Sequence, residues 1–136
     1  MTSAVELDLL LENHRIVAPG EMIFFEGQLA DCAYVVLKGE VQIVAGHGGV
    51  APKLINRVPA GEMFGEIALL RDGHRTAAAL STDGCELLIL EKSLFLEKVA
   101  KTDPLIHYVL DHLCQLIVIW TERAIRREKI APGPRP

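Results

Sequence analysis

The apolar positions change their period twice along the chain. In AVELDLLLENH, residues 4–14, leucines recur on one side of a short helix. Pro19-Gly20 then marks a turn. From there to about Leu90 the pattern becomes short β-type runs broken by glycines: EMIFFEG, AYVVLKGEVQIVAG, KLINRVPAG and AAALSTDGCELLILE. Alternation in VQIV puts Val41 and Ile43 on one face and Gln42 on the other. Gly39-Glu40 and Asp83-Gly84 stand where hairpin turns are expected. Short strands at this spacing, each ended by a turn, predict a small sandwich or barrel.

Beyond Glu91 the period lengthens to helical. Ser93 is placed to cap a helix running through Lys101. Asp103-Pro104 is a second start signal, with the acid as cap and proline in the first turn, and that helix runs to about Lys129 before Pro132-Gly133-Pro134. One apolar stripe on it comprises Ile106, Leu110, Leu113, Ile117, Trp120 and Ala124. A second comprises Leu105, Val109, Leu116 and Ile119, with His112 interrupting. A well-buried helix explains both stripes; so does a helix packed on the barrel and on a second copy of the chain. The expected organisation is a helical segment over 1–15, a β-barrel over 16–91, two helices over 92–129 and a tail over 130–136.

Composition narrows the function. A chain of 136 residues, half apolar and 24% charged, fits one domain with one core. The net charge of −4 and the absence of a clustered basic face argue against nucleic acid as a partner. Cys32, Cys85 and Cys114 are widely spaced and odd in number, which suggests reduced, mostly buried thiols. The start lacks a basic n-region followed by a long apolar run, and the most apolar stretch, 105–120, carries His107, Asp111, His112 and Gln115. A cytoplasmic protein with no membrane partner is therefore expected. His74, His107 and His112 have no metal-ligand spacing, so no metal is expected.

The stretch that carries chemistry is FGEIALLRDGHRTAAAL, residues 64–80. Gly65 permits a tight turn and close backbone approach ahead of IALL, which can form a single helical turn whose first amides attract an anion. Arg75 follows the loop with a fork that can grip two phosphate oxygens. Glu66 would repel phosphate if it lay beside it, so its natural partner is a donor such as a sugar hydroxyl. Thr76 adds a hydroxyl and an amide on the phosphate side. A ligand with one phosphate charge and a free ribose hydroxyl satisfies all of these groups.

FGEIALLRDGHRTA resembles the phosphate-binding cassette of the cyclic nucleotide-binding domain family, found in catabolite activator-type regulators, protein kinase A regulatory subunits and cyclic nucleotide-gated channels. EMIFFEGQLADCAYVVLKGEVQIV, with Gly27 and Gly39, is similar to that family's first strands, and the resemblance spans about residues 16–128. It implies an eight-stranded jelly-roll-like β-barrel with a short N-terminal helix and two C-terminal helices, mainly β in class. It also implies that Glu66, with the Gly65 backbone, takes the ribose 2′-hydroxyl. Arg75, Thr76 and the Ala68 amide take the phosphate, Ile67 lies in the wall between them, and Ala77 keeps the strand close. The ligand implied is cAMP, with cGMP the alternative. The family often closes the pocket with a basic side chain from the last helix. Here Arg123, Arg126 and Arg127 come late, which leaves Ile117, Trp120 or Thr121 as candidates for an apolar lid.

Only seven residues follow Lys129, too few for an output module within this chain, so a stand-alone sensor signalling to an unidentified effector protein is expected, with a homodimer through the last helix as a further possibility. The rival reading is a ligand-free domain of the same fold serving dimerisation or scaffolding. A cupin-type enzyme would need several histidines and a carboxylate on adjacent strands, and His47 and His74 alone do not supply them. No nucleophile–base pair points to other catalysis, so a non-enzyme is expected.

Overall fold

The computed structural model describes residues 13–49, 51–70 and 73–129. Its elements are β1 His14–Val17, β2 Glu21–Phe24, β3 Leu29–Ala30, β4 Cys32–Ala45, β5 Lys53–Pro59, β6 Met63–Phe64, α1 Ile67–Leu70, β7 Gly73–His74, β8 Ala78–Ser81, β9 Cys85–Glu91, α2 Lys92–Ala100 and α3 Pro104–Lys129. The chain divides into two compact units, Met1–Leu96 and Glu97–Pro136. The helix expected over residues 4–14 falls almost wholly outside the described residues. Its last residue, His14, already pairs with Leu88 in the sheet.

The first unit is mainly β, a curled antiparallel sheet of jelly-roll type. Four plies of chain lie side by side. β1 and β2 run along β9 and β8; β9 and β8 run along one edge of β4; β6 and β5 run along its other edge. β3 and β7 form a separate two-stranded ribbon. In the middle strand, Cys32 through Val36 are five consecutive buried residues, because both faces of that half of β4 are covered. Burial therefore does not alternate there, and Gln42 is buried as well as Val41.

Gly39-Glu40 is not a hairpin turn. It lies inside the continuous strand β4, at the place where each of the four plies bends. Gly20, Gly84, Gly39 and Gly61, one on each ply, all have positive φ. At Gly39 (φ 84°) an added Cβ would stand 2.5 Å from the Gly84 carbonyl oxygen, so only glycine lets the two plies meet at the corner. Asp83-Gly84 likewise joins β8 to β9 without a hairpin, since those two strands lie end to end along β4. A glycine signals a bend in either case. Whether the chain reverses or continues depends on which strands lie beside it.

The buried core of the first unit comprises Val17, Ile23, Val36, Val41, Val58, Leu87 and the three rings of Phe24, Tyr34 and Phe64, among others. The Tyr34 and Phe64 rings stack with centroids 5.1 Å apart, and Phe24 lies 6.1 Å from each. Cys32 and Cys85 are buried free thiols, and Cys114 is half-buried, as the spacing suggested.

α2 begins at Lys92, so Ser93 lies within its first turn rather than capping it. α3 starts at Pro104, where the Leu105 amide donates to the Asp103 carboxylate at 2.9 Å, the cap read from the sequence. Ile106, Leu113, Ile117 and Trp120 of the first stripe and Leu105, Val109, Leu116 and Ile119 of the second are all exposed, Trp120 by 70%. The helical period read from the sequence is that of α3. Among the described residues no helix is long and apolar enough to cross a membrane.

Candidate functional site

The site is built around one buried arginine. Arg75 sits between the β3–β7 ribbon and β8, and its main chain is tied both ways to the turn after β2. Its amide donates to the Gln28 carbonyl at 2.7 Å, and its carbonyl accepts from the Gly27 amide at 2.8 Å. Held there, the side chain turns inward and is only 8% exposed. Nη2 donates to the Cys32 carbonyl at 2.7 Å, with the Cys32 sulfur at 3.7 Å, and Nη1 donates to the Gly65 carbonyl at 3.2 Å. The guanidinium carbon lies over the Phe24 ring, 4.2 Å from its centroid, and 5.8 Å from that of Tyr34.

Gly65 does what its residue type suggested, for a partner that the sequence did not reveal. Its φ is +72°, and an added Cβ would come within 2.8 Å of Nη1 of Arg75. The close approach that needs glycine is therefore to the arginine. α1 follows as the single turn expected of IALL. Ala68 and Ala77 are buried, Ile67 is half-buried, and Glu66 and Thr76 are exposed. Glu66 and Arg75 form no ion pair with each other. The structure thus brings Gly65 and Arg75 into contact, with Ala68 and Ala77 buried in the same unit. Of the three lid candidates, Ile117 and Trp120 are exposed on α3, in the second unit. The side chain of Thr121 lies outside the described residues.

The electrostatics are those of a cation in neutral surroundings. Burial, with the Cys32 thiol beside it, pushes the Tyr34 hydroxyl up to about 12, and burial likewise raises the Cys32 thiol. Both stay neutral near pH 7 and offer Arg75 no counter-charge. Among the described residues no carboxylate pairs with Arg75, and its Nε is the only buried side-chain polar atom without a hydrogen-bond partner. A buried cation with no counter-ion among the described residues, and with an N–H to spare, is a donor set that an anion would complete. The described residues contain no group of three or more histidine, cysteine or acidic side chains that could hold a metal.

Reading the sequence missed Phe24, Tyr34 and Cys32 as the surroundings of Arg75. Cys32 is 43 positions away in sequence, and nothing near it points to an arginine. Phe24 arrives because β2 pairs with β8, Phe24 facing Ala79, a few residues beyond Arg75.

Comparison with known proteins agrees with this architecture. The family model described as cyclic nucleotide-binding domain matches residues 14–102. The chain belongs to the cyclic nucleotide-binding domain family. The cyclic AMP receptor protein of Thermus thermophilus is 32% identical over 104 residues, a match covering 75% of this chain and 48% of that protein. Among solved structures, the Thermus thermophilus catabolite activator protein superposes with a TM-score of 0.69 at 27% identity, over 95% of this chain and 60% of that one. The cAMP-bound form of the EAL enzyme Bd1971 superposes with a TM-score of 0.65 at 27% identity, over 88% of this chain but 29% of the enzyme. The chain thus spans about half the length of the first relative and less of the enzyme.

Proposed function

We propose that this chain is a cytoplasmic, non-catalytic sensor domain that binds cAMP in preference to cGMP. The observation that carries the reading is Arg75: a buried residue, 8% exposed, without a carboxylate partner among the described residues and with an unpartnered Nε. The ligand's phosphate supplies the missing negative charge. The exposed Thr76 hydroxyl and the Ala68 amide add donors on the phosphate side, Glu66 accepts from the ribose 2′-hydroxyl, the Ile67 side chain lines the wall between them, and Ala77 keeps the strand close. The names of the relatives, a cyclic AMP receptor protein and a cAMP-bound enzyme, support cAMP as the nucleotide.

Signalling in this reading is a population shift. The nucleotide stabilises a state in which α3 closes over the base with Ile117, Trp120 or Thr121, and an effector protein or a second copy of the chain reads that state. Differential affinity for the two states sets how far the balance moves. Calorimetric titration of cAMP into wild type and Arg75→Ala tests the site. Loss of a charge-assisted contact costs about 1.5–3 kcal/mol, roughly ten- to over a hundred-fold in affinity. Equal binding by both proteins would remove the phosphate from Arg75.

One observation favours a second reading. Ile106, Leu113, Ile117 and Trp120 of one stripe of α3 and Leu105, Val109, Leu116 and Ile119 of the other are exposed, which suits a dimerisation module acting without ligand. Thermal unfolding with cAMP and with cGMP separates the two readings, because a ligand that binds only the folded state raises the midpoint. Sedimentation of Trp120→Glu beside wild type tests the second copy: a dimer held through α3 dissociates.

A further inference from the structure

The contact between Arg75 and Phe24 carries an inference of its own, which rests on the proposed phosphate site. Three devices locate the guanidinium. The main chain of residue 75 is clamped to Gly27 and Gln28, and two guanidinium nitrogens donate to the carbonyls of Gly65 and Cys32. The third is the Phe24 ring, 4.2 Å from the guanidinium carbon. An arginine's N–H donors all lie in the guanidinium plane. A ring lying over that group orients it by attraction to the cation and occupies no donor. The carbonyls take hydrogen bonds that a phosphate would otherwise claim; the ring takes none.

Phe24 is itself placed by a specific irregularity. The pairing of β2 with β8 shifts register between Met22 and Phe24, and Ile23 and Phe24 are consecutive buried residues where simple alternation would expose one of them. Such a bulge re-aims a side chain. Here it accompanies a ring facing inward, braced by Tyr34 and Phe64 at 6.1 Å, while the adjacent Phe25 is 57% exposed.

We propose that Phe24 is a positioning residue for nucleotide binding: its ring holds the Arg75 guanidinium in the orientation that leaves Nε and its neighbouring donors for the ligand's phosphate. The test is a double-mutant cycle read as cAMP affinity by calorimetry, using Phe24→Leu, Arg75→Ala and the double variant of the whole chain, each checked for cooperative thermal unfolding. Phe24→Leu is expected to weaken cAMP binding about three- to thirty-fold in the wild-type background, the range of a cation–π contact between partly exposed and desolvated. With Arg75→Ala already in place, the same change is expected to weaken binding less than about twofold, because nothing remains to be oriented. Phe24→Tyr, which keeps the ring, is expected to restore most of the affinity lost in Phe24→Leu. An equal loss from Phe24→Leu in both backgrounds overturns the proposal and leaves Phe24 a packing residue; so does a failure of tyrosine to rescue in a variant that folds. Should Phe24→Leu not unfold cooperatively, Phe24→Met carries the same comparison. If Arg75→Ala alone binds cAMP as wild type does, the phosphate site itself fails, an outcome distinct from either of these.

Discussion

Two arginines in the first unit sit in opposite circumstances. Arg57, on β5, is exposed and paired: its Nη1 is 3.0 Å from the Glu40 carboxylate, which also accepts from the Gln42 amide at 2.9 Å. Gln42, itself buried, in turn accepts from the Thr82 amide and hydroxyl, so these polar groups are bonded to one another. Arg75 is buried, and among the described residues it is bonded only to backbone carbonyls and a thiol sulfur, its Nε having no partner. A surface pair in high dielectric contributes little and needs nothing more. A buried guanidinium without a counter-ion has a cost that binding an anion removes. The comparison separates a charge satisfied within the sheet from one that, in the proposed function, takes its partner from the ligand.

The largest expected effect on ligand binding is the contrast between Arg75→Ala and Arg57→Ala. The first is expected to lose about ten- to over a hundred-fold in cAMP affinity, the second to bind as wild type. Comparable losses would erase the distinction.

Two glycines sharpen it next. Gly39→Ala places a Cβ 2.5 Å from backbone that cannot yield, at positive φ, and is expected to lower stability by at least about 1–3 kcal/mol while the folded protein still binds nucleotide. Gly65→Ala places a Cβ 2.8 Å from the end of the Arg75 side chain, which can shift aside. Its expected signature is the reverse, a smaller stability loss and a clear loss of cAMP affinity. Urea unfolding and calorimetry on the two variants measure both halves.

The pH dependence also divides between the regions. The Tyr34 hydroxyl beside Arg75 is pushed from 10 up to about 12. A raised folded-state value means that its contribution to stability is full below pH 10 and lost as pH rises toward 12. Tyr34→Phe is therefore expected to flatten the loss of stability over that range, read as urea midpoints. Around Arg57, hydrogen bonds from Gln42 and Arg57 lower the Glu40 carboxyl. A depressed value has the opposite sign: its contribution is present above the ordinary carboxylate range and lost on acidification through the folded value. Glu40→Gln is expected to flatten the acid side slightly, the smallest effect of the set because the group is exposed.

Much of the fold and site was legible along the chain, and the misses share a cause. The cap at Asp103 was readable because a helix start is local chemistry. The turn at Gly65, the single helical turn after it and Arg75 were readable together because the cassette is contiguous. Gly39 was taken for a hairpin turn because a glycine reports positive φ without reporting whether the chain reverses. Here the adjacent plies bend with it, and β4 continues.

The sequence by itself determined the mainly β class, the last helix and the family to which the chain belongs, since these are written in short-range spacing. Only the tertiary structure decided what surrounds Arg75. The Cys32 carbonyl and the Phe24 ring reach it through strand pairing between distant segments, and a bulge in β2 accompanies the inward placement of that ring. The two apolar stripes of α3, by contrast, are plain in the sequence as a pattern of shared faces. Period reports which residues share a face; what covers that face depends on partners brought from elsewhere in the chain or from another molecule.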